Sequence, residues 1–489
     1  MNHDYDLIII GGGAGGLAAA GIGAGVRART LIIEQHKLGG DGTGYGCVSS
    51  KILLHQAAKA AMGVTISYDK VTGKLQELQN RISGHTEHAE RLRKQGVDVK
   101  MGRAVFIDSH TVVIHYSSGE RQRVTGRYFI IATGSQAHIP SVPGIGRTPW
   151  LSIRNLFDLA YLPESMIIAG ADPTGTEMAQ AFQRLGCRVT LLDEVDSILP
   201  GTPREITSIL QDRLEKEGVN LLPGVSLKEI AGDELRISVR VSRGDKTNVL
   251  EAEKLFFSTG RMVNPESLQL DKAGVRYDNN GIRVNTSCRT NLNHIYAIGD
   301  VTGRYRLTHM AVHMARVAAN NALLRFPQLI DTKNVPQVIF TDPEIAHTGA
   351  TQSELETNRC AYDIHRFPYD KIDHAVTEEA DDGLIQVYAK KRTGRILGVD
   401  IVGKQAGELI SHYTLAMKNG ITLKQLAGVI YPYPTYAYGV GIAADHWSAA
   451  RRKNGNFSRW IQRIFRFKGP VEDPVKGPVP EENQIRDIS

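Results

Sequence analysis

Two stretches of this chain share one layout, and that duplication constrains the fold more than any other feature. The first opens with residues 5–10, YDLIII, a continuous apolar run suited to a strand buried on both faces. Gly11-Gly12-Gly13-Ala14-Gly15-Gly16 follows, with the pattern G-x-G-x-x-G at Gly11, Gly13 and Gly16, and then a helical stretch, LAAAGIGAG. A second apolar run, TLIIE, ends in Glu34, 18 residues after Gly16. Glycines there allow a tight turn and close backbone approach to a pyrophosphate. The helix N-terminus supplies free N–H groups and positive partial charge. The acid at the strand end accepts hydrogen bonds from ribose hydroxyls. The second stretch repeats this order: SMIIAG, then Gly170-Ala171-Asp172-Pro173-Thr174-Gly175, then TEMAQAFQRLG, then CRVTLLD. Asp193 again stands 18 residues after the last loop glycine, Gly175.

A chain of 489 residues is too long for one core, so three or four domains are expected. With 42% hydrophobic and 22% charged residues, its composition is that of a soluble globular protein. No apolar run is long enough to span a bilayer. The N-terminus enters a strand directly, and no signal peptide is expected. The four cysteines, Cys47, Cys187, Cys288 and Cys360, are widely spaced with no CxxC pair. That argues against a zinc site or a disulfide framework and suits a reducing cytoplasm. Residues 451–468 hold seven basic residues and no acid, so removing them from the net +6 leaves −1 for the rest. The body of the protein therefore makes no electrostatic case for nucleic-acid binding.

Between and after the two units, residues 51–100 have helical patterning. The run from Phe106 to Ser135 reads as short antiparallel strands with a turn at Ser117-Ser118-Gly119. It ends on Ala132-Thr133-Gly134-Ser135, and the proline-rich HIPSVPGIG marks a domain boundary. Strands and a hairpin are expected over 220–258, after which the chain is expected to return to the first unit at Ser258-Thr259-Gly260-Arg261. The stretch Ile295-Tyr296-Ala297-Ile298-Gly299-Asp300 is another apolar run ending in Gly-Asp, and a helix follows at 308–325. From about 333 the pattern changes, with strands LIQVYAK and ILGVDIVG and helices at 404–418 and 422–428.

The segment Leu38-Gly39-Gly40-Asp41-Gly42-Thr43-Gly44-Tyr45-Gly46-Cys47-Val48-Ser49-Ser50-Lys51 resembles the redox-active segment of the FAD-dependent pyridine nucleotide–disulfide oxidoreductases, the family of dihydrolipoamide dehydrogenase, glutathione reductase and mercuric reductase. The resemblance extends over about residues 4–445 and implies an α/β fold: two Rossmann-type domains, for FAD and NAD(P), plus a C-terminal α+β dimerisation domain. The expected boundaries are 1–150 and 281–332 for the FAD domain, 151–280 for the NAD(P)-like domain, 333–450 for dimerisation, and 451–489 for a basic amphipathic segment and tail. By resemblance, Gly11, Gly13, Gly16, Glu34, Lys51, Thr133, Gly134 and Asp300 hold FAD, and Gly170, Gly175 and Asp193 hold the nicotinamide nucleotide. Asp193 with no basic neighbour favours NADH over NADPH. Lys51 and Glu177 match an ion pair near flavin N5, and Cys47 matches the sulfur stacked on the flavin.

Four positions depart from the family. Its first redox cysteine falls on Gly42, and a dithiol couple needs two sulfurs in bonding distance. Its histidine–glutamate proton shuttle falls on Tyr433 and Tyr438. A tyrosine, with pKa about 10, is a poor general base at neutral pH. The middle glycine of the second loop is Asp172. A carboxylate about 5 Å from a phosphate costs roughly 3 kcal/mol at an effective dielectric near 20, unless it turns outward. Two readings stay open there: nucleotide use lost or altered, or a tolerated change with weaker NADH binding.

The expected function is a homodimeric flavin oxidoreductase passing electrons from NADH to a non-disulfide acceptor such as a quinone. Cys47, Lys51, Glu177 and Tyr433 are the candidate catalytic residues. Cys47 alone could form a sulfenic acid or mixed disulfide, or be an inert remnant. Tyr45, Tyr433, Tyr436 and Tyr438 could line an aromatic pocket for a planar acceptor, or be interface packing. Alternatives are a flavoprotein oxidising a small organic substrate without nicotinamide, and a retired FAD-binding dimer acting as a binding partner. Phe457, Trp460, Ile461, Ile464 and Phe465 fall on one face of a helix in the basic segment. Such a helix suits a bilayer surface or docking on the dimer; a cytoplasmic protein is expected, peripheral on the inner face of the membrane in the first case. Residues 469–489 are proline-rich and polar, with disorder expected.

Overall fold

The first apolar run forms the strand Tyr5–Ile10, buried along nearly its whole length between two parallel neighbours. Ile10 pairs with Ile33 on one side and with Ile131 on the other. The computed structural model describes residues 3–83, 85–453 and 456–467. Its largest sheet has seven strands: Val97–Met101, Thr30–Glu34, Tyr5–Ile10, Arg121–Ile131, Thr111–His115 and Arg103–Asp108 in order, with Ile295–Ala297 joining Arg121–Ile131. The hairpin turn falls at the expected Ser117-Ser118-Gly119, closed by the Tyr116 and Glu120 backbones. The helix Ala14–Gly25 crosses the helix Thr308–Leu323 closely. A Cβ on Gly15 would come within 3.1 Å of the Ala311 carbonyl, so only a small residue fits that crossing.

The repeat makes a second parallel sheet. Its order is Asn220–Pro223, Arg188–Asp193, Ser165–Ala169 and Lys254–Phe257, with an antiparallel three-stranded sheet over residues 226–252 beside it. The chain then returns to the first unit. The strand Arg261–Met262 pairs with Gln136–Ala137, and Leu268, Leu270, Ala273, Val275 and Ile282 pack into the first unit's core. The apolar positions of 268–275 are thus covered by the first sheet.

A five-stranded antiparallel sheet forms the C-terminal unit, in the order Gln337–Ile339, Glu344–Gly349, Ile396–Gly403, Leu384–Lys390 and Tyr362–Pro368. One face packs on the helices Ala406–Lys418 and Tyr436–Lys453. From the other face Ile345 and Val402 enter a core shared with the second unit. That core also takes Leu53 and Ala57 from the helix Cys47–Ala61, and Met178 and Phe182 from the helix Pro173–Leu185. Fully burying such side chains is worth about 1.5–3 kcal/mol each. The packing fixes the Cys47 helix against the helix that follows the second glycine loop.

Candidate active site: two glycine loops, one sulfur and one ion pair

The two loops match feature by feature. Gly11 and Gly170 both have left-handed φ, 107° and 109°. A Cβ on Gly11 would strike the Ala132 carbonyl at 2.3 Å, and one on Gly170 the Ser258 carbonyl at 2.1 Å. Gly16 and Gly175 each lie against the carbonyl of their loop's first glycine, at 1.9 and 2.0 Å for an added Cβ. The strand-end acids match too. Glu34 accepts from the Gly12 and His36 backbone N–H groups at 2.6 and 2.7 Å. Asp193 accepts from Ala171 and Val195 at 2.6 and 2.9 Å.

The loops differ at one place. Nothing lies within 4 Å of a Cβ added to Gly13, and the helix it opens carries no side-chain cap. Space and free N–H groups are available there for a pyrophosphate. Gly134, with φ 70°, is equally open, while Thr133 abuts Gly11. The first loop therefore fits FAD. In the second loop Asp172 caps the helix Pro173–Leu185, accepting from Gly175 N at 2.8 Å and from Ser258 Oγ at 2.5 Å. The carboxylate turns onto its own loop, not outward. It takes the donor that a phosphate oxygen would use, and Pro173 offers no N–H. The dinucleotide pyrophosphate does not fit while Asp172 holds this position. Burial pushes the Asp172 carboxyl up to about 6 against the pull of its two hydrogen bonds, with Asp193 and Glu177 adding to the rise.

Cys47 opens its helix and is exposed, its Sγ 3.6 Å from Thr308 Oγ1. Cys187 and Cys288 are buried in separate cores, and all four cysteines are free. Among the described residues none of the four is disulfide-bonded. One turn along the Cys47 helix, Lys51 Nζ is 2.8 Å from Glu177 Oε2, and Glu177 is almost fully buried. The Phe340 backbone N–H donates to Glu177 Oε1 at 2.9 Å, and the Phe340 ring lies 4.5 Å beneath Lys51 Nζ. The pair thus joins the first unit, the second unit and the start of the dimerisation unit.

Asp300 accepts from Ser135 Oγ at 2.6 Å, and Arg261 Nε donates to the same Ser135 Oγ. Arg261 also reaches Asp41 Oδ2 at 2.8 Å, directly before Gly42. Asp41, Ser135, Arg261 and Asp300 therefore form one network around the first loop. Sequence reasoning quoted Ser135 and Arg261 inside motifs without assigning them a role, and missed Asp41, Ser258, Thr308 and Phe340 as contacts. Their partners lie far along the chain, so no local spacing reveals them.

Tyr433 is 64% exposed; its hydroxyl donates to Asp373 Oδ2 at 2.8 Å, and the Asp373 hydrogen bond and charge raise its pKa. Its ring stands edge-on to Tyr438 at 5.3 Å. Tyr436 does not belong to this cluster. It is buried in the C-terminal core with its hydroxyl on Glu378, which corrects its placement in an acceptor pocket.

The repeated sheet, glycine loop and helix, the open space at Gly13, and the ion pair of Glu177 with Lys51, on the helix that Cys47 opens, are the features of a flavoprotein oxidoreductase. The chain belongs to the pyridine nucleotide–disulphide oxidoreductase family: that family's model matches residues 5–315, and the model of its dimerisation domain matches residues 335–444. Members bind FAD and use NAD(P)H, and the dimerisation domain marks a homodimer. The chain is 31% identical over 470 residues to dihydrolipoyl dehydrogenase of Bacillus subtilis, covering 91% of this chain and 98% of the relative. It is 28% identical over 460 residues to mercuric reductase of Staphylococcus aureus, covering 90% and 82%. Among solved structures, the HOCl-induced flavoprotein disulfide reductase RclA from Escherichia coli matches with TM-score 0.82 and 25% identity, over 90% of this chain and 99% of that one.

Proposed function

We propose that this flavin oxidoreductase passes electrons from NADH to an acceptor other than a disulfide, a quinone or similar planar molecule. The observation that carries this reading is the single sulfur: Cys47 Sγ meets the Thr308 hydroxyl, and the position where the family's first redox cysteine falls is Gly42, which has no side chain. FAD, when bound, supplies two-electron transfer between donor and acceptor. Lys51 would hold positive charge where negative charge develops, with Glu177 and Phe340 fixing its ammonium. Gly11, Gly13, Gly16, Glu34, Thr133, Gly134 and Asp300 would hold the cofactor, and Gly170, Gly175 and Asp193 the nucleotide. Tyr433 and Tyr438, with Tyr45, would offer aromatic faces to the acceptor. The overall exchange is NADH, a proton and a quinone giving NAD+ and the quinol.

The exposed apolar residues Trp460, Ile464 and Phe465 on the helix Asn456–Phe465 support a cytoplasmic protein resting on the inner membrane surface, where quinones reside. Among the described residues no helix is long and apolar enough to cross a membrane. The side chains of Arg451, Arg452, Lys453, Phe457 and Arg459 lie outside the described residues, as do Lys468 and all of 469–489.

The test is anaerobic addition of NADH, then of NADPH, to the purified flavoprotein, followed by quinones and small disulfides. Flavin bleaching by NADH and reoxidation by quinone is the expected result. Reoxidation by disulfides alone overturns the reading. The Asp172 cap favours a second reading, in which a small organic donor reduces the flavin without nicotinamide. An unbleached flavin that dithionite still reduces would support it.

A further inference from the structure

We propose that Asp172 is an internal lock on the nucleotide loop, standing where a dinucleotide's pyrophosphate would sit, so that nucleotide and proton enter together. This deepens the proposal that NADH is the donor, and it rests on that reading. The comparison of loops carries it. Gly13 leaves open space and an uncapped helix, whereas Asp172 closes the same place with bonds from Gly175 N and Ser258 Oγ.

A pyrophosphate arriving against an ionised Asp172 meets like charge, and the Gly175 N–H is already engaged. Other charges nearby do not relieve this. Asp193 at the strand end adds negative charge, and Glu177, on the same helix, is committed to Lys51. Once Asp172 takes up a proton it no longer repels phosphate, and its hold on Gly175 N weakens. The carboxyl can then yield that donor to the ligand, with Ser258 Oγ released alongside. One proton is taken up for each nucleotide bound by the ionised protein.

The acid titrates near pH 6. Affinity should therefore be greatest below that pH and fall about tenfold per unit above it, the slope of a single linked proton. Asp172→Asn imitates the neutral acid and keeps an oxygen for Gly175 N. Asp172→Gly restores open space like that at Gly13.

The measurement is calorimetric binding of ADP-ribose, a redox-silent probe carrying the same pyrophosphate, to the holoprotein from about pH 5 to about pH 8. Retained flavin absorbance reports the fold of each variant. Wild-type affinity falling with pH, with both variants tight and flat, supports the lock. Wild-type binding without a pH slope, whether tight or weak, overturns it and leaves the NADH reading standing. No binding by the wild type or either variant at any pH overturns the NADH reading and the lock with it.

Discussion

Thr308 Oγ1 lies 3.6 Å from Cys47 Sγ and 3.8 Å from where a Cβ on Gly42 would stand. The threonine hydroxyl thus borders the place of the family's missing sulfur. Gly42 lies within a short helix and outside the left-handed set, so its backbone accepts a side chain. Gly42→Cys should therefore close a disulfide with Cys47 on mild oxidation. Thiol titration before and after oxidation should show two thiols lost per chain. An unchanged titre would show that the two segments do not meet as described.

Lys51 is a third exposed and pairs with a buried carboxylate, so the two partners are not equivalent. Lys51→Met leaves Glu177 without its cation and removes positive charge beside the proposed flavin site. Flavin reduction by NADH should slow about a hundredfold, in keeping with loss of one preorganised electrostatic group. Stopped-flow absorbance measures this. A rate within a factor of two of wild type would exclude Lys51 from the electron-transfer machinery.

Arg184 joins the second unit to the C-terminal unit. Its side chain is 7% exposed, donates to Glu217 through Nε and a terminal nitrogen at 2.9 and 2.5 Å, and reaches Asp342 at 2.8 Å. Arg184→Ala strands Glu217 in a largely buried position. The expected loss is about 3 kcal/mol, the usual scale for breaking one side of a buried pair. Urea denaturation followed by flavin release reads it. A shift below about 0.5 kcal/mol would mean that water replaces the arginine without cost.

His347 has acceptors at both ring nitrogens, Asp400 at 2.7 Å and the Gly349 carbonyl at 3.1 Å, which suits a protonated ring. Burial lowers its pKa, but the Asp400 hydrogen bond and charge outweigh that, and Glu354 adds to the net rise above 6.5. Tyr388 donates to the other Asp400 oxygen and holds it in place. Because the folded value is raised, this contribution is fully present below pH 6.5 and is lost as pH climbs through the folded value. Denaturation midpoints should fall across that window, and His347→Asn should remove this part of the slope. An unchanged slope in the variant would assign it to other groups.

How far the sequence speaks depends on how local each constraint is. The glycine loops were legible because left-handed φ at the first glycine and the contact of the last glycine with its carbonyl are local demands, met within one loop. The direction taken by Asp172 was not, because it depends on Ser258, 86 residues away. Lys51 and Glu177 stand 126 residues apart, and only family resemblance paired them before the structure showed the contact. Tyr436 was grouped with Tyr433 by proximity in sequence. The helix that begins at Tyr436 turns its side chain into the core, while Tyr433, just before it, stays outside.

The helix Asn456–Phe465 presents Trp460, Ile464 and Phe465 to solvent, more than half exposed, and such a face needs something to cover it. The basic residues of 451–468 favour an anionic surface, each worth roughly 1 kcal/mol near such lipid before screening. Removing residues 454–489 leaves intact the preceding helix, whose Tyr436, Val440, Ala443 and Ala444 are part of the C-terminal core. The full chain should therefore sediment with vesicles containing anionic lipid, and the shortened chain should stay in the supernatant. Raised salt should weaken binding, and a Trp460→Ala, Ile464→Ser, Phe465→Ser triple variant should reduce it while the charge is unchanged. Equal sedimentation of full and shortened chains would remove the membrane from the account. The exposed face would then have to be covered by protein, and sedimentation velocity of the shortened chain would show whether the dimer itself depends on it.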